Sequence, residues 1–348
     1  MTASTIPGSS SDALNVEAVG AWIAGLDIGV RAPLRFSRLG QGHSNLTFLV
    51  TGAEERALVL RRPPLGELLA SAHDVAREAR ILSALETTDV PAPRVLGVCS
   101  DSRVSDVPLV VMEHVDGLAF DDSAVAETLS PERRRAIGFG LVEALARIHA
   151  VDLAQAGLET LASHDSYAAR QLKRWHRQWE LSRTRDLPAI DDLAERLRTA
   201  MPAAKELTLV HGDFHLRNVI VSPVDGSVRA VLDWELCTLG EPLADLGGLL
   251  AYWPQAGEPS SFDVSSALPG FPSRDELAAA YAERTGRSLE ALGFWHVLAL
   301  WKVAIIGEGV LRRSTADRRN APPGANISAQ SVDDIVGRAL QIAEAEGL

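Results

Sequence analysis

Between His211 and Glu235 the chain specifies a hairpin with a fixed set of polar residues around it. The run Val219 to Val221 and the run Val228 to Leu232 are short, apolar and rich in β-branched residues, the composition of strands, and Ser222-Pro-Val-Asp-Gly226 supplies the turn between them. Asp213 and Asn218 then fall in the loop that enters the first strand, and Asp233 falls just past the second. Such a loop can project Asp213 toward a substrate hydroxyl. The Asn218 amide oxygen and the Asp233 carboxylate are the hard oxygen donors that Mg2+ takes beside nucleotide phosphates. The alternative for Asp213 and Asn218 is conformational only, because both residue types shape turns by bonding to nearby backbone.

A chain of 348 residues, 46% of them apolar, can bury one large core or two smaller ones, and two domains are expected. Its net charge of −12 argues against nucleic acid as a partner, since phosphate backbones are bound by clustered Lys and Arg. Met1 to Ser11 has neither a basic nor an apolar segment and reads as a tail rather than a signal peptide, which leads to a cytoplasmic expectation. Cys99 and Cys237 are too few for a disulfide framework and read as buried thiols. The apolar stretch Phe294 to Val310 carries His296, Lys302 and Glu308, so it reads as a buried helix that falls short of a membrane span.

Upstream, Asp12 to Leu26 has helical apolar spacing, and strand-like runs follow at Phe36 to Leu39, Leu46 to Val50 and Ala57 to Arg61. Antiparallel pairing of these runs is expected. The first two are joined by Gly40-Gln-Gly-His-Ser-Asn45, in which Gly40 and Gly42 could bring backbone amides close to phosphate oxygens, with Ser44 and Asn45 as phosphate or ribose contacts. An ordinary hairpin loop is the alternative. His73 to Leu85 and Arg133 to Ala150 read as helices, and His149 near the end of the second reads as a packed or capping residue. Asp245 would open a further helix, either as its N-cap or by bonding back to the loop that holds Asp213. Tyr167 to Ser182 and Phe294 to Arg313 interleave tryptophans with cations; they either line a substrate groove or pack a core beside a charged flank.

His211-Gly-Asp-Phe-His-x-x-Asn218 followed by Asp233-Trp-Glu235 resembles the catalytic and metal segments of the aminoglycoside phosphotransferase family, relatives of the protein kinases. The stretch Thr238 to Leu250 and the helix end Arg147-Ile-His-Ala150 are similar to that family as well. The resemblance implies an α+β, bilobal, protein-kinase-like fold. Residues 1–29 would form a tail and helix, 30–115 a nucleotide-binding lobe of antiparallel sheet plus helix, and 116–348 a mainly helical lobe for catalysis and substrate. It implies ATP and Mg2+ as cofactors, Asp213 as catalytic base, and Asn218 and Asp233 as metal ligands. The family's strand lysine is replaced here by Arg61, which is bulkier and forked, and Glu78 takes the place of the helix glutamate that pairs with it. An exposed glutamate between Arg77 and Arg80 is the other possibility for Glu78. The linker Glu113 to Val115 would offer main-chain groups to adenine.

Gly42-His-Ser-Asn-Leu-Thr47, Leu60-Arg-Arg-Pro-Pro64 and Arg170-Gln-Leu-Lys-Arg-Trp175 resemble the branch of the family found beside or fused to acyl-CoA dehydrogenases. That implies a small-molecule hydroxyl acceptor, a hydroxyacyl-CoA or hydroxy fatty acid, ahead of an aminoglycoside. An acidic chain also suits a cationic antibiotic, and the exchange at Arg61 keeps open a nucleotide-binding pseudokinase. A hydrolytic metal held by His211, Asp213 and His215 is the remaining alternative, but no glutamate follows His211 as a zincin helix requires.

Overall fold

A computed structural model describes residues 14–39, 45–53, 56–64, 74–121, 123–162, 166–258, 265–316 and 328–348. Gly40, Gly42 and Ser44, the tail at 1–13 and the start of the expected helix at 73 lie outside them. The chain divides into two compact units. The first runs to Asp116 and takes in Ala230–Glu235; the second is made of Gly117–Arg229 and Leu236–Leu348. The first unit is therefore built from two stretches of chain, and Asp233 belongs to it.

The first unit is an antiparallel sheet with helices. Strands β1 (Arg35–Leu39), β2 (Leu46–Thr51), β3 (Ala57–Arg62), β4 (Val95–Cys99) and β5 (Leu109–Glu113) pair in the order β1-β2-β3-β5-β4. Strand side chains alternate between faces. Phe48, Val50, Leu58, Leu60, Leu109 and Val111 thus share one core with Val19 and Ile23 of α1 (Val16–Gly25). Arg61 has the opposite parity from Leu58 and Leu60, so it leaves the sheet on the other face, where Glu78 of α2 (Val75–Leu85) meets it. Helix α2 starts where the Asp74 carboxylate accepts from the Arg77 amide at 2.9 Å. The returning stretch is anchored by the Val231 amide, which donates to the Pro91 carbonyl at 2.7 Å.

The second unit is mainly helical. Its elements are β6 (Leu118–Ala119), α3 (Ser123–Glu127), α4 (Pro131–His149), α5 (Leu153–Ala156), α6 (Tyr167–Ser182), α7 (Pro188–Thr199), β7 (Thr208–Val210), β8 (Val219–Val221), β9 (Val228–Val231), β10 (Thr238–Gly240), α8 (Pro242–Ala251), α9 (Arg274–Thr285), α10 (Leu292–Ala316) and α11 (Ala329–Glu346). β7 pairs with β10, and β8 lies between β6 and β9. Helix α10 packs against α6, α7, α8 and α11, with Trp301 fully buried and its indole N–H on the Ile190 carbonyl at 2.9 Å. By length and composition α10 is apolar enough to cross a membrane, contrary to the expectation for Phe294 to Val310, but most of its apolar window is buried in this unit. A buried cation cluster sits beside it. Arg338 donates to the Leu250 and Ala251 carbonyls at the end of α8 and lies 3.5 Å from His296 Nε2. Burial, reinforced by the Arg338 and Arg274 charges, pushes the His296 pKa down to about 3.

Candidate active site

In the second unit, β7 ends at Val210 and the chain turns sharply at Gly212, where φ is +83°. A Cβ there would lie 2.7 Å from the Leu236 carbonyl oxygen, so both backbone conformation and space demand glycine. The turn is held by Asp245, which accepts from the His211 amide at 2.6 Å and the Gly212 amide at 2.8 Å. Asp245 lies in the first turn of α8, and Glu241 occupies the N-cap position, so the bracing role is the one realised. Behind it, His149 Nε2 is 3.3 Å from the Asp245 carboxylate and His149 Nδ1 is 2.7 Å from the Tyr281 hydroxyl. Burial pushes the Asp245 carboxyl up, but the His149 contact, the His149 and His211 charges and the Gly212 amide hold it below the ordinary carboxylate value.

Asp213 follows this turn. Its carboxylate has Lys302 Nζ at 3.6 Å, His215 Nε2 at 3.5 Å and the Asn218 amide nitrogen at 3.3 Å. Burial opposes its charge, yet Lys302, then His215 and His211, hold the Asp213 carboxyl well below the usual range. It is an ionised acceptor aimed at solvent-accessible space. The Asn218 side-chain NH2 also donates to the Asp213 carbonyl at 2.9 Å, which leaves the amide oxygen as its free donor atom for a cation. His211 is fully buried and its Nδ1 accepts from the Asp213 amide at 3.2 Å, so it is not available to a metal. Among the described residues no group of three or more His, Cys, Asp or Glu side chains is placed to hold a metal unaided. Mg2+ held jointly with phosphates needs only one or two protein oxygens, and the Asn218 amide and Asp233 carboxylate have that chemistry.

In the first unit, Arg61 forks between two carboxylates. Nη1 meets Glu78 Oε1 at 2.6 Å and Nη2 meets Asp233 Oδ1 at 2.9 Å. Glu78 is buried, and the same oxygen accepts from the Trp234 amide at 3.2 Å. Burial raises its pKa to about 7, Asp233 and Glu235 adding to the rise while Arg61 and the Trp234 amide oppose it. Asp233 holds a left-handed backbone at φ +65°, an uncommon state for a residue with a Cβ. Asn45 is buried with its amide on Glu235 Oε2 at 3.2 Å, and the Arg77 guanidinium reaches the Glu235 carbonyl at 3.3 Å. Glu113 is engaged with Arg94, donating its amide at 2.9 Å and accepting through its side chain at 3.1 Å, and Val115 lies half-buried between β5 and β6. Glu113 thus has no free N–H for a ligand.

A pocket open to solvent lies in front of Asp213. Tyr167, Gln171 and Trp175 of α6 face Trp295, Leu298 and Lys302 of α10 across it. Lys302 Nζ donates to the Gly212 carbonyl at 2.6 Å and sits 5.4 Å from the Trp175 ring centre. The only carboxylates among the lining residues are Asp213 and Asp245. The two tryptophan-bearing helices therefore both pack the core and line this pocket. Leu172, Trp179 and Trp301 pack the core, while Trp175 and Lys302 face the pocket. Asp245 and His149 lie in segments that the sequence singled out, whereas Lys302 and Tyr281 carry no local motif and are brought to the loop and its brace only by the fold.

The family model described as the phosphotransferase enzyme family matches residues 35–295. Acyl-CoA dehydrogenase family member 10 of Mus musculus is 34% identical over 354 residues, covering 99% of this chain and 32% of its own length. Member 11 of Rattus norvegicus is 33% identical over 351 residues, covering 98% of this chain and 44% of its own length. The chain thus spans a third to under half of these curated relatives. A Ralstonia eutropha JMP134 structure, provisionally assigned as an aminoglycoside phosphotransferase, is 30% identical with a TM-score of 0.73, covering 96% of this chain and 97% of that one. The aminoglycoside phosphotransferase APH(4)-Ia in complex with ADP and hygromycin B shares the fold at 17% identity and a TM-score of 0.59, covering 89% and 94% of the two chains. Loop, sheet and matches agree: this chain belongs to the phosphotransferase enzyme family and has its kinase-like α+β fold.

Proposed function

We propose that this chain moves the γ-phosphoryl group of ATP to a hydroxyl of an acyl compound, a hydroxyacyl-CoA or hydroxy fatty acid, in a reaction that requires Mg2+. The observation that carries this reading is the pocket in front of Asp213. An ionised carboxylate opens there onto aromatic and aliphatic walls, with Lys302 as the cation. In this mechanism Asp213 accepts a hydrogen bond from the acceptor hydroxyl and takes its proton as the oxygen attacks phosphorus. A carboxylate held this acidic aligns the hydroxyl more than it deprotonates it early, which suits the loose transition state of phosphoryl transfer. Lys302 fixes the Gly212 carbonyl and keeps Asp213 charged. Arg61, presented by Glu78, takes the lysine's part toward the nucleotide phosphates. Asn218 and Asp233 would each offer an oxygen to Mg2+, which when bound would neutralise phosphate charge.

The Ralstonia neighbour favours a second reading, phosphorylation of an aminoglycoside. A polycation calls for several carboxylates in its cleft, whereas of the two in this lining Asp245 is engaged by the His211 and Gly212 amides and Asp213 has Lys302 beside it. The Arg61 contact with Asp233 favours a third, a nucleotide-binding regulator without turnover. Incubation with Mg-ATP and parallel panels of hydroxyacyl-CoAs, hydroxy fatty acids and aminoglycosides separates the three. Phosphorylated acyl product is expected, lost in Asp213→Asn while nucleotide-dependent thermal stabilisation is kept. Transfer to aminoglycosides alone, or to nothing, rejects the proposal.

A further inference from the structure

We infer that Tyr167 and Gln171 form a two-donor site for a carbonyl oxygen on the α6 wall of the pocket, so that the acceptor sets an acyl carbonyl there while its hydroxyl meets Asp213. The inference rests on the acyl-acceptor reading above and names the residues that would recognise the acyl group.

The two residues carry polar groups that the chain itself leaves unused. They stand four apart on α6, hence on one face a turn from each other, and both line the pocket. Gln171 is oriented by its neighbour. The Trp175 indole N–H, which can only donate, bonds to the Gln171 Oε1 at 3.0 Å. That spends the carboxamide oxygen and leaves the NH2, a donor only, with no acceptor among the described residues. Tyr167 is 7% exposed, and close neighbours fix its ring. A Cβ on Gly240 would lie 2.8 Å from that ring, the Trp295 ring centre is 6.0 Å away, and the Arg170 guanidinium lies over it at 5.6 Å. The Tyr167 hydroxyl makes no hydrogen bond among the described residues. Burial first, and then the Asp245 charge, push this phenol well above its ordinary pKa, so it stays protonated as a donor. Asp245 also lines the pocket, which sets the hydroxyl toward its loop end.

Donors this enclosed are costly unless a ligand satisfies them. Both are neutral, and Lys302, the cation of the lining, is already engaged by the Gly212 carbonyl and Asp213. A neutral oxygen therefore fits better than a carboxylate, which calls for a charged partner. A carbonyl oxygen has two lone pairs and can take both donors at once. A sugar ring would bring several further hydroxyls, whereas Trp175, Trp295, Leu298, Ala299 and Val303 make the rest of the helix walls apolar. The chemistry that fits is one hydroxyl, one carbonyl and an apolar chain, the acyl group of a hydroxyacyl thioester.

The test is a binding cycle on the full chain with its nucleotide site filled by Mg-ADP. The probes are hydroxyoctanoyl thioesters of N-acetylcysteamine with the hydroxyl at successive carbons, and their thioethers, in which CH2 replaces the carbonyl. Calorimetry compares the unaltered chain with the double variant Tyr167→Phe, Gln171→Glu, which keeps both shapes and an acceptor for the Trp175 indole but offers no donor. For the best-bound thioester, loss of the carbonyl is expected to weaken binding to the unaltered chain by about tenfold or more, and to the variant by less than about threefold. Equal Mg-ADP stabilisation of both proteins establishes that the variant is folded. An equal carbonyl effect in both proteins, no effect in the unaltered chain, or no binding of any probe at millimolar concentration overturns the inference. So does an analogue with a second hydroxyl in place of the carbonyl that binds as tightly as the thioester. Donor-dependent carbonyl binding with no phosphorylation of any probe by Mg-ATP contradicts the proposed reaction and leaves the carbonyl site standing. Phosphorylation of thioester and thioether with the same KM contradicts the carbonyl site alone.

Discussion

Asp213 owes its ionised state to Lys302, His215 and His211, and only Lys302 is remote in sequence. His215 and Asn218 sit within the same loop, whereas Lys302 arrives from α10, 90 residues beyond the Gly212 carbonyl it also holds. Asp213→Asn keeps the side-chain shape and removes the charge. In single-turnover assays it is expected to cost roughly 10²- to 10⁴-fold in phosphoryl transfer with nucleotide binding intact; a loss under fivefold contradicts the role assigned to it. Arg61→Ala would leave Glu78 buried beside Asp233 and Glu235 without its cation, and breaking such a pair destabilises by about 3 kcal/mol or more. Urea unfolding measures this, and an unchanged midpoint contradicts the pairing. The placement of Asp213, Asn218 and Asp233 around one hairpin was legible in the sequence because their spacing is local. That Arg61 contacts both Glu78 and Asp233 was not, since it depends on strand parity and on the return of 230–235 to the first unit.

Elements explain why the loop stays in place. Asp245 on α8 bonds two consecutive loop amides and is itself held by His149 on α4, which Tyr281 on α9 supports. The folded Asp245 pKa lies below its unfolded value, so its contribution to stability is present above about pH 4 and is lost as pH falls through the folded value. Asp245→Asn is therefore expected to lower stability at pH 7 and to flatten the acid limb of the stability profile; a parallel profile rules the relay out as an ionic brace. His296 on α10 works in the opposite sense. Its folded pKa of about 3 lies below the unfolded value of about 6.5, so the unfolded chain binds the extra proton between those limits and stability falls as pH drops through that window. His296→Gln should remove up to about 1.4 kcal/mol per pH unit of that slope, read from urea midpoints at pH 7 and 5, and equal slopes contradict it. Strand alternation and helix periodicity placed β2, β3, α4 and α6 in the sequence to within a few residues. Apolar content alone could not say whether α10 faces lipid or core; burial against α6, α8 and α11 decides it here.

At the scale of the molecule, the chain has a sheet unit that carries Arg61 and Asp233 and a helical unit that carries Asp213 and the pocket beside it. The family pattern was readable because the loop from His211 to Asn218 is contiguous; the helices Tyr167 to Ser182 and Phe294 to Arg313 were readable only as groove lining or core, because Tyr167, Trp175, Trp295 and Lys302 converge on one pocket only through the fold. A nucleotide that binds only the folded chain should raise its unfolding temperature with concentration, by about 2.7 kcal/mol of stabilisation at a hundredfold excess over Kd. The central claim concerns what leaves that nucleotide and where it goes. Mass spectrometry of hydroxyacyl-CoAs and hydroxy fatty acids incubated with Mg-ATP and the unaltered chain, beside the Asp213→Asn variant, reads it directly. Phosphate on the acceptor hydroxyl with the unaltered chain and none with the variant is the predicted result; an unmodified panel, or equal product from both proteins, contradicts the account.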